Sequence, residues 1–227
     1  MSVLSFATRK AASHFLPARF YRQRARIADA ASTPDGNTSS PTVCLTFDDG
    51  PHPSHTPRVL DQLSQLDARA TFFLIGGSAV QHPNIVRRIQ AEGHAIGSHT
   101  HCHSRATRMS ADEYTADALR ARNAIEDITG IGCPLFRPPY GELTPRSLIR
   151  IVRNNMQIVH WTHEPKDSEI SRDRQLVRWF EEHRPFDGAV VLLHDSRRVT
   201  ACHLTDFLAS WRNDVQFCEL SSEGARV

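Results

Sequence analysis

The 227-residue chain has no CxxC pair among its five cysteines, no apolar run near the roughly 18 residues a membrane-spanning helix needs, and no strong charge of either sign. Each absence removes a class of protein. Cys44, Cys102, Cys133, Cys202 and Cys218 are odd in number and scattered, which argues against a disulfide framework and for reduced thiols. A formal net charge of +2 gives no electrostatic preference for nucleic acid, and the missing apolar run leaves no transmembrane segment. There is no internal repeat. The one biased stretch is residues 30–41 (AASTPDGNTSSP), rich in Ser, Thr and Pro, which reads as a linker.

Acid is missing from the first part of the chain. Arg9, Lys10, Arg19, Arg22, Arg24 and Arg26 all precede the first carboxylate, Asp29. Arg9-Lys10 and His14 interrupt every candidate for the apolar core of a secretory signal, so the segment is expected to stay on the chain and the protein to be cytoplasmic. A basic, surface-docked helix is the expected structure for residues 1–30, with weak contact to a membrane surface as the alternative. Residues 1–41 are thus a basic segment plus linker. Residues 42–227 make one domain, long enough to bury its own core.

Histidine is what the chain has in excess: thirteen, in a residue type that serves as metal ligand and proton shuttle. Their placement follows from the fold. Short apolar runs at 43–47, 71–75, 94–97, 135–137, 157–161, 189–193 and 215–220 have the length and continuity of buried parallel strands. Helical patterns alternate with them. Val59, Leu60, Leu63 and Leu66 form one apolar face, and Ile85, Val86 and Ile89 another, entered through Pro83 and closed by Gly93. Ser110 with Glu113 forms a capping box for a helix ending before Gly130, Thr144-Pro145 opens the next, Ser171 a fifth, and a sixth covers 204–211. Seven strands and six helices predict an α/β fold, either an open sheet or a barrel of fewer than eight strands.

In parallel α/β folds the carboxyl ends of the strands share one face, where active sites are built. Asp48 and Asp49 follow the first predicted strand, His99 and His103 the third, Arg137 and Tyr140 the fourth, Asp167 the fifth, and His194 ends the sixth. Two adjacent carboxylates on the Asp48-Asp49-Gly50-Pro51 turn face different ways, so one can bind a cation while the other accepts a proton. His99 and His103, spaced H-x₃-H as on one side of a helical turn, suit a divalent metal. Two imidazoles and one carboxylate leave coordination positions open for hydrolytic chemistry.

Four segments in this order resemble the polysaccharide deacetylase family, the NodB-like carbohydrate esterases. They are Thr46-Phe47-Asp48-Asp49-Gly50-Pro51, His99-Thr100-His101-Cys102-His103, Arg137-Pro138-Pro139-Tyr140-Gly141, and residues 190–195 with His194. The resemblance spans 42 to about 220. It implies a deformed (β/α) barrel with about seven parallel strands, a catalytic domain over 42–227, and removal of N-acetyl groups from an amino-sugar oligomer or polysaccharide. It also implies Asp49, His99 and His103 as ligands of a divalent metal, zinc being expected and cobalt or nickel fitting the same donors. Asp48 becomes the general base, Arg137 the group that keeps it ionised and oriented, and His194 the acid for the departing amine, with Asp167 as its partner. The Tyr140 N–H completes an oxyanion hole, Leu193 lines a pocket for the acetyl methyl, and Trp161, or alternatively His163, stands in as an aromatic wall where the family's Trp is replaced by Ser168. Alternatives are another amide or acetyl ester as substrate, such as a cyclic ureide, an imide or acetylxylan, and a non-catalytic carbohydrate-binding descendant. A structural zinc site is a further alternative, but those normally use four protein ligands.

Overall fold

The computed structural model describes residues 21–22, 40–170 and 172–220. The membrane contact, the Ser171 cap and most of the expected basic helix over 1–30 fall outside the described residues. Where that segment is described the helix is corrected: Tyr21–Arg22 form a two-residue strand (β1) that pairs in parallel with Ile158 and Val159 and so joins the domain's own sheet.

All seven predicted strands are present: β2 (Thr42–Asp48), β3 (Thr71–Leu74), β4 (Ala95–Ser98), β5 (Leu135–Phe136), β6 (Gln157–Val159), β7 (Ala189–His194) and β8 (Gln216–Cys218). All pairings are parallel, in the order β1-β6-β5-β4-β3-β2-β7. The sheet curls. His163, downstream of β6, bridges Val191 of β7, and the Thr162, His163 and Leu192 amides bond across that seam at 2.9–3.1 Å. This seam closes the deformed barrel. β8 lies beside the first half of β2, below β3, and the Leu220 amide donates to Thr71 Oγ1 at 2.8 Å.

Among the described residues seven helices cover the outside: α1 (Thr56–Gln65), α2 (Gly76–Gln81), α3 (Pro83–Ala91), α4 (Ala111–Thr129), α5 (Pro145–Arg153), α6 (Asp173–Glu182) and α7 (Arg198–Leu208). The short α2 has no apolar periodicity to announce it, and α7 begins earlier than the predicted 204–211. Capping boxes at Ser110 and Thr144 open α4 and α5, and Gly130 closes α4 in the left-handed conformation. No helix among the described residues is long and apolar enough to cross a membrane.

Strand alternation sorts the side chains into two layers. Val43, Leu45 and Phe47 of β2, Phe72 and Leu74 of β3, and Ala189, Val191 and Leu193 of β7 point outward, into the core shared with α1, α6 and α7. The alternate residues point inward. Cys44, Phe73, Leu135, Val159, Val190 and Leu220 plug the lower interior, while Thr46 and then Asp48 climb β2 toward its carboxyl end. A buried strand therefore delivers a carboxylate to the mouth, with apolar burial below it holding the backbone in register.

Candidate active site

The mouth is a cleft of about 530 Å³ lined by Asp48, Asp49, His99, His103, Tyr140, Trp161, Leu192 and His194, with Glu164, Ser168, Glu169 and Arg197 at its border. It gathers residues from five strand ends. Asp48 and His194 are register partners on adjacent strands, so a carboxylate and an imidazole face each other across one interstrand spacing.

Arg137 supports the first of these from below. Its guanidinium is fully buried, and Nη1 donates to Asp48 Oδ1 at 2.8 Å and to Thr46 Oγ1 at 2.7 Å. Nε and Nη2 donate to the Val159 and His160 carbonyls, and the Phe73 ring lies 4.1 Å away. Burial pushes the guanidinium below its ordinary value, while the Asp48 charge pulls the other way. A buried cation so completely bonded orients the one carboxylate it touches.

Asp49, His99 and His103 bring one ligand atom each to within 4.8 Å of one another. The His99 Nδ1–H donates to the Arg137 carbonyl at 2.7 Å, which fixes the tautomer and aims the Nε2 lone pair at Asp49 Oδ1, 3.7 Å away. Burial outweighs the pull of Asp48 and Asp49 and holds His99 below its ordinary value, in the neutral, ligating form. His103 Nε2 stands 3.1 Å from Asp49 Oδ1, and Tyr140 Oη is 3.3 Å from His103 Nδ1. Burial raises the Asp49 carboxyl, but its interactions with His103, His99 and His194 carry it well below the usual carboxylate range. Asp49 Oδ1 is buried, and its 3.1 Å approach to His103 Nε2 lacks hydrogen-bond geometry. An orphaned carboxylate oxygen facing two imidazole nitrogens fits a divalent cation with mixed nitrogen and oxygen donors. The histidine pair comes from the loop after β4, with Thr100 and His103 left-handed (φ 59° and 54°), and not from a helical turn as the spacing suggested.

On the other wall, Asp167 Oδ1 accepts from His194 Nδ1 at 2.7 Å, and its Oδ2 accepts from the His194 amide at 2.8 Å and from Thr200 Oγ1 at 2.6 Å. Burial lowers the His194 pKa, but the Asp167 bond and charge, with Asp48 and Asp49 behind them, push it up to about 9. His194 is therefore protonated at neutral pH, with Nε2 left to point into the cleft.

One placement is corrected. Leu193 is fully buried among the outward-facing residues, whereas Leu192 lines the cleft on the same face of β7 as His194. The two-residue period of a strand decides this: a residue one position before His194 must face away from it. Trp161 does stand in the cleft, its Nε1–H donating to Glu164 at 3.1 Å, while His163 packs against Trp179, Phe186 and Trp211 instead. Asp195 had drawn no role from sequence, although it directly follows His194. Its carboxyl is buried, accepts from Thr56 Oγ1 at 2.5 Å, and is pushed up to about 7 by burial, with the Thr56 bond and the His194 charge opposing and the Asp49 and Asp48 charges adding to the rise. A Cβ on Gly50 would collide with this carboxyl, which explains glycine beside the paired aspartates.

Residues 35–159 match the polysaccharide deacetylase family. The peptidoglycan-N-acetylglucosamine deacetylase of Bacillus cereus is 37% identical over 155 residues, 68% of this chain and 56% of that protein. The chitooligosaccharide deacetylase of Azorhizobium caulinodans is 38% identical over 156 residues, 68% of this chain and 73% of that one. The chain thus spans about half the length of the first and nearly three quarters of the second. The solved structure of the Bc1960 peptidoglycan N-acetylglucosamine deacetylase superimposes with a TM-score of 0.77 at 29% identity, covering 88% of this chain and 90% of that one.

Proposed function

The chain belongs to the polysaccharide deacetylase family, and from that premise we propose that it hydrolyses N-acetyl groups on an amino-sugar oligomer or polysaccharide. The observation carrying this reading is the pairing in one cleft of Asp48, braced by buried Arg137, with protonated His194, braced by Asp167. A base and an acid side by side on adjacent strands serve amide hydrolysis, where a water must lose a proton and an amine must gain one.

Asp49, His99 and His103 would hold a divalent cation, zinc by preference, with cobalt and nickel suited to the same donors. When bound, the cation supplies polarisation of the carbonyl and of the attacking water. The remaining work falls to the protein's own groups. Asp48 takes the proton of the attacking water on its free oxygen, since the other is held by Arg137. The Tyr140 N–H, presented by a left-handed residue (φ 58°), donates to the developing oxyanion. His194 Nε2 protonates the leaving nitrogen, which cannot depart as an amide anion, and Asp167 stabilises the imidazolium before transfer. Leu192 borders the acetyl methyl, and Trp161 offers a ring face to the sugar.

The test is mass spectrometry of metal-supplemented reactions with N-acetylglucosamine oligomers of graded length, alongside acetylated xylan. Stepwise loss of acetyl from the amino-sugar series supports the assignment. Release from the xylan alone would move the protein to ester substrates, and release from neither would sink the hydrolase reading.

A further inference from the structure

Two of the five cysteines meet at the floor of the barrel, away from the cleft. Cys44 of β2 and Cys218 of β8 are register partners on adjacent parallel strands, 174 positions apart in sequence, with their sulfurs 2.7 Å from each other. That is well inside the van der Waals separation of two sulfur atoms. Cys44 is fully buried and Cys218 partly exposed, so Cys218 is the more accessible residue of the pair. The other cysteines are placed differently: Cys133 is buried with its sulfur turned to the Ile96 carbonyl, Cys202 receives a contact from Arg58, and Cys102 is exposed.

We propose that Cys44 and Cys218 are a disulfide-forming pair that fastens the last described strand to the strand carrying the paired aspartates. A low-molecular-weight disulfide is the oxidant. The Cys218 thiolate attacks one sulfur of that reagent, a mixed disulfide forms, and the first small thiolate leaves. Cys44, as thiolate, then attacks the Cys218 sulfur, the protein disulfide forms, and the second small thiolate leaves. Each protein thiol releases one proton and each departing thiolate takes one up. The two cysteines are oxidised together and the reagent is reduced to two thiols.

β8 is the element that gains most from such a link. It has three residues, none fully buried, and among the described residues its strand pairing runs along β2 alone, supplemented by the Gln216 amide to the Pro41 carbonyl and the Leu220 amide to Thr71. A bond closing so long a loop removes much of the freedom of the unfolded chain. The cleft lies at the opposite end of β2, so turnover should not respond.

The test is incubation of the full chain with glutathione disulfide or with dithiothreitol, followed by thiol titration in denaturant, peptide mapping and thermal melting. The oxidised chain is expected to lose two of its five titratable thiols, to give a Cys44–Cys218 cross-linked peptide, and to melt roughly 5–15 °C higher. C218S should erase the difference between the two redox forms, and C102S should leave it intact. Mapping of the oxidised wild type needs no variant to fold. Recovery of Cys44 and Cys218 as separate alkylated peptides, a link to any other cysteine, or a lower melting point on oxidation would each overturn the proposal.

Discussion

The two ends of the barrel use the left-handed backbone conformation in opposite ways. At the floor, each helix-to-strand connection from α1 to β7 contains a residue of positive φ: Asp67, Gly93, Gly130, Asn155 or Gly188. These are the residue types that adopt it at least cost, and they do no more than turn the chain. At the mouth the same conformation falls on Asp49, Thr100, His103, Tyr140, Gly141 and Lys166. One of these six is glycine, and the β-branched Thr100 is the least suited of all. Such a residue costs about 1–2 kcal/mol relative to its relaxed state. The floor spends sequence on stability, while the mouth accepts strain to aim two metal-ligand candidates and an oxyanion donor into one cleft.

The sharpest way to separate the ends is to remove chemistry from one and packing from the other. Asp48→Asn keeps an acceptor for Arg137 but cannot take a proton, so the rate is expected to fall roughly 10²–10⁴-fold with metal content unchanged. Asp49→Asn should instead weaken metal affinity and recover in part at high metal concentration. Elemental analysis beside kcat distinguishes the two, and metal loss in the Asp48 variant with retention in the Asp49 variant would reverse the roles. Phe72→Ala is the matching change below the mouth. Phe72 is fully buried and stacks on Phe47 at 5.0 Å between ring centroids. Its loss is expected to cost about 3–5 kcal/mol of stability by denaturant unfolding, with kcat per folded molecule unaltered. A collapse in kcat would show that the two ends are not separable.

The next effect is smaller and belongs to the mouth alone. Because the folded-state pKa of His194 is raised from 6.5 to about 9, its protonated form contributes stability that is complete below pH 6.5 and is lost as the pH rises through about 9. Deacetylation should decline over the same upper range, with the limb somewhat lower in metal-loaded protein, where a bound cation offsets the charge of Asp49. Asp167→Asn removes the chief raising group, so the alkaline limb of the rate profile should move down by at least about one pH unit, roughly tenfold in rate at a fixed pH above it. A limb that stays in place would exclude Asp167 as the partner.

Much of this arrangement can be read along the chain, for a physical reason. Parallel strands buried on both faces are short continuous apolar runs, and every one of the seven runs became a strand. The polar residues at their carboxyl ends then had one place to go, which brought Asp48, Asp49, His99, His103, Arg137, Tyr140 and His194 together. What pattern could not supply was direction. Leu192 and Leu193 are chemically identical, and only the strand's period, counted back from His194, selects the one facing the cleft. The H-x₃-H spacing fits a helix, but positive φ at Thr100 and His103 is invisible in composition. Closure through His163 and Val191, and the meeting of Cys44 with Cys218, are contacts between distant segments that no local pattern encodes.

The subtlest test of the contrast concerns strain itself. Lys166 is exposed, left-handed at φ 59°, and immediately precedes Asp167; its charge reaches no closer than 3.7 Å to Glu169. Replacing it with glycine relieves about 1–2 kcal/mol of conformational cost and adds about 0.4–1 kcal/mol of unfolded-state entropy. The balance predicts a gain of roughly 0.5–1 kcal/mol, or a few degrees in melting temperature for a chain of this size. At the floor, Asn155 has a nearly equal φ of 58°, but asparagine already tolerates it. Asn155→Gly should therefore leave the melting temperature unchanged or slightly lower. The activities of the two variants complete the comparison. Asn155→Gly has no route to the cleft, whereas added freedom next to Asp167 loosens the group that holds His194, so Lys166→Gly should gain stability while losing a few-fold in kcat. Equal stability changes in the two variants would mean that the mouth carries no more strain than the floor.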